Sequence, residues 1–288
     1  MHSIHDPQLM AIYQACVDLY NRETSLIRDK PTACASINAT NFLACHAIRF
    51  ADAALFLMED VKQPLAPAAA LLRTCLEAQA RANHIVAACG EKREELAKEF
   101  LRLMTLGYDY NEAITFQMQK NIAGDASKIP PLNQPIVAAV MLHLNNIDTS
   151  NVKALEKEYK NLRGNWTYEK VIEWKKQNDL ASQKRSEWQE VQPGLYLSYL
   201  TCCAFVHADP AALKLEQTLT PLDMVYLAVT AVVSAVNSFF VVLGKGKDKE
   251  LLLIKNALIA FPVAQKTLAK MDVSLADLKR AGKHEEIP

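Results

Sequence analysis

The sequence predicts an all-α protein, and three observations carry that prediction. Apolar residues recur at helical spacing along almost the whole chain, and runs that alternate β-branched and polar residues are missing. Half of the 288 residues are hydrophobic and only 8 are glycine, enough apolar material for a sizeable core with few natural breaks. The expected architecture is a bundle of roughly nine or ten helices around an apolar central helix.

The first helix opens at Asp6-Pro7, where the carboxylate caps free amides and proline at the first turn removes a donor that had no partner. Leu9, Ile12, Tyr13, Cys16, Leu19 and Tyr20 form its apolar stripe, and Lys30-Pro31 ends it. A second helix is predicted over about 36–61. Pro64 and Pro67 punctuate the start of a third, which runs to Cys89 and is closed by Gly90. Residues 91–120 form a charged amphipathic helix whose charges read as a solvated face. Its sequel, GDASKIPPLNQP, holds three prolines and is a loop.

A short apolar helix near 135–145 and the helix VKALEKEYKNL follow, with a break at Gly164-Asn165-Trp166 before TYEKVIEWKKQ. Beyond Pro193-Gly194 a helix spans about 195–207. Thr220-Pro221 caps LDMVYLAVTAVVSAVNSFFVVLG, and a last helix pair occupies about 248–281 with a break near Asp272. No repeat or low-complexity tract occurs. The organisation expected is one helical domain over 1–288, with 125–192 as a peripheral subregion.

The run from Met224 to Leu243 is twenty residues without a charge, long enough to cross a bilayer. It stands alone, it contains Thr230, Ser234, Asn237 and Ser238, and amphipathic helices are available to cover it. It therefore reads as a core helix, and no membrane partner is expected.

Composition narrows the function classes. The 32 basic and 32 acidic side chains cancel, which removes the broad positive field of a nonspecific nucleic-acid binder. Seven cysteines, with no C-x-x-C pair, read as small core residues of a reducing cytosol. The first residues lack a basic segment followed by an apolar run, so no signal peptide is indicated and a cytoplasmic location is expected. No G-x-G-x-x-G or H-E-x-x-H is present. GKGKDKE at 244–250 lacks the spacing of a phosphate loop and reads as a lysine-rich turn between helices. No histidine has a Glu three residues before it, so neither a metal nor another cofactor is expected.

One polar constellation stands out. The apolar third helix carries Arg73, Glu77 and Arg81 at successive i, i+4 steps, with His84 three residues on. If that stripe faces inward, its charges must neutralise one another. On the second helix Asn38, Asn41, Cys45 and Arg49 recur at helical spacing beside His46 and Asp52, and packing of the two helices offers Arg49 or His46 to the row. Further on, Tyr196, Tyr199, Cys203 and His207 share a face of LYLSYLTCCAFVH. His207 sits in the last turn, where the partial negative charge of the helix end favours an imidazolium and Asp209 offers a partner.

The order Arg73-x-x-x-Glu77, then Trp166, then Tyr199 and Cys203-x-x-x-His207, resembles an uncharacterised bacterial all-helical family classed as a domain of unknown function. Its pattern is Arg-x-x-x-Glu, a Trp-led segment and Tyr-x-x-x-Ser-x-x-x-His, with Cys203 here in place of the usual Ser. The family is distantly similar in turn to the HEPN superfamily of helical nucleases and nucleotide-binding proteins. HEPN ribonucleases pair an Arg with a closely following His. Here Arg81-x-x-His84 is too short, Arg280-x-x-x-His284 lies in a polar tail, and no Arg precedes His207 at the needed distance.

Two functional expectations follow. On the residues, the chain reads as a helical binding or interaction module with a buried Arg-Glu-His cluster of Arg73, Glu77 and His207. Arg49, Arg81, His84, Tyr199 and Cys203 then line a pocket for a small anionic ligand. The alternative, implied by the superfamily resemblance, is a metal-independent ribonuclease or abortive-infection effector of phage defence. There His207 acts as general acid or base, Glu77 orients it and Arg73 stabilises phosphate charge on RNA. A homodimer is a further expected arrangement, without a stripe that marks its interface.

Overall fold

The computed structural model of the chain describes residues 6–28, 34–58, 65–124, 151–168, 170, 171, 199, 202, 203 and 220–261. Those residues form seven helices and no strand: α1 (Pro7–Arg28), α2 (Ala35–Leu57), α3 (Leu65–Ala87), α4 (Gly90–Gly124), α5 (Val152–Asn165), α6 (Pro221–Val242) and α7 (Lys249–Ile259). The protein is all-α. The segments predicted as helices near 135–145 and 195–207, and beyond 261, fall largely or wholly outside the described residues. Two compact units divide the chain, Lys98–Lys170 and the remainder.

In the larger unit α6 packs against α1, α2, α3 and α7. Seventeen of its 22 residues are buried, so the helix is apolar because nearly all of its circumference is removed from water. It is long and apolar enough to cross a membrane, with a mean hydropathy of 2.1, yet 83% of that stretch is buried within the protein. Thr220 and Asp223 build a reciprocal capping box at its start: Asp223 N–H donates to Thr220 Oγ1 at 3.2 Å and Thr220 N–H donates to Asp223 Oδ2 at 2.8 Å.

Its far end closes on Gly244, whose φ of +74° is the left-handed conformation glycine adopts without strain. The amide of Lys245 donates to Phe240 O at 2.8 Å and that of Gly244 to Val241 O at 3.1 Å, which satisfies the last free carbonyls. The Lys245 ammonium then pairs with the buried Glu23 of α1 at 2.6 Å. Asp248 caps α7 through the amides of Glu250 and Leu251. GKGKDKE is thus a helix-to-helix turn, as its spacing predicts.

The hydroxyls of α6 explain themselves against α3. Asn83 Oδ1 accepts from Ser238 Oγ at 2.7 Å, while Asn83 Nδ2 and Gln79 Nε2 each donate to Ser234 Oγ at 3.2 Å. Thr230 turns back to the carbonyl of Tyr226. Every group of this network is a neutral amide or hydroxyl, and each has a partner, so it is compatible with a dry core.

Small residues bring α2 close to its neighbours: Ala39, Ala44, Ala47, Ala51 and Ala54 are fully buried, and the Cys75 thiol of α3 reaches Ala47 O at 3.3 Å. The predicted stripe of α1, from Leu9 to Tyr20, is buried throughout. Two of its tyrosines tie it to α2, Tyr13 through Asp52 at 2.6 Å and Tyr20 through Asn41 Oδ1 at 2.8 Å. Asp6 caps α1 as predicted, at 2.8 Å from the amide of Gln8.

Helix ends depart from prediction where tertiary contacts decide them. α2 begins at Ala35 without a side-chain cap of its own; Glu94 of α4 supplies one, taking the amides of Ala35 and Ser36 at 2.9 and 3.3 Å and the thiol of Cys34 at 3.0 Å. α3 stops at Ala87, before the predicted Cys89. Arg93 there holds the carbonyls of Ala88 and Val86, and Gly90, at φ +54°, makes the turn into α4. Helix α5 runs through Gly164 and ends at Asn165 with Trp166 as its C-cap, so the predicted break falls at its C-terminal end. α7 ends at Ile259, ahead of the break predicted near Asp272, which lies outside the described residues.

In the smaller unit Trp166 is buried against Phe100, with ring centroids 5.3 Å apart, and its indole N–H donates to Glu99 at 3.0 Å. Tyr159 of α5 lies over Gly107 of α4, where an added Cβ falls 3.0 Å from the ring. Glycine at 107 is what admits the tyrosine.

Two measurements check this packing. Asn83→Ala removes the side-chain partner of two buried hydroxyls, Ser234 and Ser238, so urea unfolding is expected to show a loss of about 1–3 kcal/mol. Glu94→Gln tests the borrowed cap. Burial opposes the Glu94 anion, but the donors from Cys34, Ser36 and Ala35 prevail and hold its pKa below the ordinary 4.5. A carboxyl depressed on folding stabilises above its unfolded pKa and loses that contribution as pH falls through the folded value. The wild type is therefore expected to exceed the variant at pH 7 by about 1 kcal/mol, in the range of other helix caps, and the gap to close in acid below 4.5.

Candidate functional site

The apolar faces of α3 and α2 fix where their charged residues emerge. Arg73, Glu77 and Arg81 lie along one edge of α3, with 27%, 21% and 26% of their side-chain surfaces exposed. The row expected to be buried is half-buried, because α3 commits its opposite face to α6 through Gln79 and Asn83. Glu77 is shared: its Oε1 accepts from Arg73 Nε at 3.3 Å and its Oε2 from Arg81 Nη2 at 3.2 Å.

Tyr199 joins the row from far along the chain. Its hydroxyl donates to Glu77 Oε1 at 3.3 Å and accepts from Arg73 Nη2 at 3.4 Å, while the Arg73 guanidinium lies 5.5 Å from the centre of its ring. Burial first, then the Glu77 carboxylate, push the phenol well above its ordinary range, so the hydroxyl stays protonated and able to donate. Burial works against the Arg73 cation, but Tyr199, Cys203 and Glu77 outweigh it and raise its pKa.

The half-buried Cys203 lies beside this group, and its neighbour Cys202 is buried. Burial, with Cys203 next, pushes the Cys202 thiol up to about 12, so it is a thiol and no nucleophile at neutral pH. Cys16 and Cys75 are buried as expected of core residues, whereas Cys89 is exposed.

On α2 the His46 ring stacks on Phe42 at 5.2 Å between centroids and tilts against Phe50 at 4.7 Å. Burial chiefly, then Arg49 and Arg81, hold its pKa below the ordinary 6.5. Arg81 of α3 and the exposed Arg49 of α2 thus act on one imidazole, the juxtaposition of the two helices anticipated in the sequence. His84 is buried in the last turn of α3, apart in exposure from the half-open row. His207 lies outside the described residues. Of the expected cluster, Arg73 and Glu77 are described and bonded, and of the expected lining residues Arg81 and Tyr199 bond to Glu77, whereas among the described residues no hydrogen bond joins Arg49 or His84 to the row.

Comparison with known proteins finds no matching family model, no matching curated protein and no matching solved structure. Among the described residues no group of three or more His, Cys, Asp or Glu side chains is placed to hold a metal ion. What the row offers is guanidinium N–H donors, a protonated phenol and a carboxylate that both arginines share, chemistry suited to holding an anion.

Sequence reasoning passed over Gln79, Asn83 and Glu94, and it read Lys98, Glu99 and Arg102 only as a solvated face. The partners of Gln79, Asn83, Glu94, Glu99 and Arg102 are distant in sequence, so helical spacing carries no sign of them.

Replacing Glu77 by Ala leaves two half-buried guanidiniums without their shared carboxylate. A stability loss of about 1–3 kcal/mol is expected in thermal or urea unfolding, well above an ordinary exposed i, i+4 pair. A midpoint unchanged within error is the contrary result.

Proposed function

We propose that this chain is a helical binding module in which the arginine row of α3 receives a small anionic ligand at the edge of α2. The observation that supports the reading is the charge balance of the row. Arg73 and Arg81 converge on one carboxylate, Glu77, and Arg49 adds a third guanidinium whose field reaches the same His46 as that of Arg81.

Half-buried cations in excess of carboxylates favour an incoming anion, since partial desolvation strengthens each charge-assisted hydrogen bond. About a quarter of each guanidinium side chain stays open, so a ligand can approach both arginines. Glu77 holds both arginines in position beforehand, which lowers the ordering cost of binding. The Tyr199 hydroxyl, which donates to Glu77, helps hold the row in place, and the Phe42 and Phe50 rings bound His46 on its α2 side. In this reading the whole chain has nine or ten helices wrapped around α6.

Calorimetric titration with inorganic pyrophosphate tests the proposal. Saturable binding is expected, weakened about tenfold or more in Arg73→Met and again in Arg81→Met, each of which removes charge-assisted donors. His46 sets the pH dependence. An anion beside Arg49 and Arg81 offsets the repulsion that, after burial, lowers its pKa, so binding favours uptake of a proton and the contribution of His46 to affinity grows as pH falls below 6.5. Absence of binding, or binding indifferent to both arginines, removes the reading.

A further inference from the structure

Outside the arginine row, the smaller unit carries an open cleft of about 520 Å³ between α4 and α5. Most of its lining residues carry polar or charged ends, Lys98, Glu99 and Arg102 from α4 and Glu158, Asn161 and Asn165 from α5, while their stems and Leu162 make most of its open surface apolar. The helical spacing of Lys98 and Arg102 on one side, and of Glu158, Asn161 and Asn165 on the other, turns these residues toward one another.

A tally of donors and acceptors shows what the cleft lacks. Glu99 already accepts the buried Trp166 indole at 3.0 Å and the Asn165 amide at 3.5 Å. Glu158 already accepts from Arg102. Both carboxylates are therefore engaged. The Lys98 ammonium and the Asn161 amide have no hydrogen-bond partner among the described residues, and the Arg102 guanidinium has further N–H groups beyond the one facing Glu158. Beside the remaining lone pairs of the two carboxylates, the cleft therefore keeps unspent cationic and amide donors at Lys98, Arg102 and Asn161.

The wall is also held rigid. Trp166 is 1% exposed, packs on Phe100 and pins Glu99 in place, so the cleft exists before any ligand arrives. The Arg102–Glu158 pair is well exposed, with 66% and 44% of its side chains open, and surface pairs of this kind exchange partners at little cost. The remaining lone pairs of Glu99 can accept from a neutral hydroxyl but repel an anion placed against them, which orients a ligand.

We propose that this cleft binds a small hydroxylated oxyanion, a carboxylate or phosphate whose charged end meets Lys98, Arg102 and Asn161 and whose hydroxyls turn to Glu99. The volume limits the ligand to a few tens of atoms at most.

Calorimetric titration of the full chain with glycerol 3-phosphate, inorganic phosphate and glycerol tests this. Glycerol 3-phosphate is expected to bind, inorganic phosphate several-fold more weakly, and glycerol alone not at all. Lys98→Met and Asn161→Ala, checked by an unchanged thermal midpoint, are expected to weaken glycerol 3-phosphate about tenfold and severalfold respectively. The cleft's share of the binding is expected to persist in the Arg73→Met/Arg81→Met double variant, in which the row on α3 no longer contributes. No binding, or binding that survives Lys98→Met and falls in Arg81→Met, overturns the proposal. Equal affinity for the two phosphates overturns the part assigned to Glu99.

Discussion

The protein's larger unit depends on keeping α6 out of water. A 22-residue helix with 17 residues buried has no polar face to offer the solvent, so α1, α2, α3 and α7 all pack against it. Such burial is favourable only while the few polar atoms on the helix are satisfied, since each unpaired hydroxyl or amide in a dry core costs several times what its bond contributes. Ser234 and Ser238 therefore impose a requirement on whichever helix covers them. α3 meets it with Gln79 and Asn83, and because hydrogen-bond geometry is directional, those two amides fix the register of α3 in a way that apolar packing alone leaves loose.

That register has a consequence on the other side of the helix. Arg73, Glu77 and Arg81 stand roughly opposite Gln79 and Asn83 around the 3.6-residue turn, so anchoring the amides inward leaves the ionic row at the outer edge. α3 is thus polar on two faces for two reasons. The inner groups are neutral and buried, which suits a permanent contact. The outer groups are charged and about a quarter open, which suits a contact that can be exchanged. The small alanines of α2 let it approach closely enough for Arg49 and Arg81 to influence the same imidazole.

The local parts of this architecture were legible in the sequence. Asp6-Pro7, the Thr220 to Asp223 box and the lysine-rich turn act over a few residues, so their chemistry is readable without knowing the fold. The Arg73 to Glu77 step is equally local, and the link to Tyr199 was suggested by the pattern of a resembling family. What escaped was tertiary. Glu94 caps a helix that begins about sixty residues earlier, and Glu99 meets the Trp166 indole across a similar distance. Helix ends at Leu57 and Ala87 came sooner than periodicity alone extends them. The degree of burial also misled: an apolar helix with a charged stripe implied a buried cluster, whereas amides on the opposite face had already taken the inward position.

Charged residues on α4 illustrate why composition alone cannot assign a role to a surface. The run EKREELAKEFLRLM has the look of a solvated face, and most of its charged side chains are exposed. Its members nevertheless do three different things. Arg93 closes the end of α3, Glu94 starts α2, and Glu99 is pinned by a buried indole. The distinction lies in what restrains each side chain. A carboxylate free to rotate in water is solvent-facing decoration, but one held at a fixed position by a tryptophan that is itself locked in a core keeps its charge at a defined point. A fixed carboxylate with cations and amides at set distances has a preferred binding geometry, and that is the physical difference between a polar surface and a site.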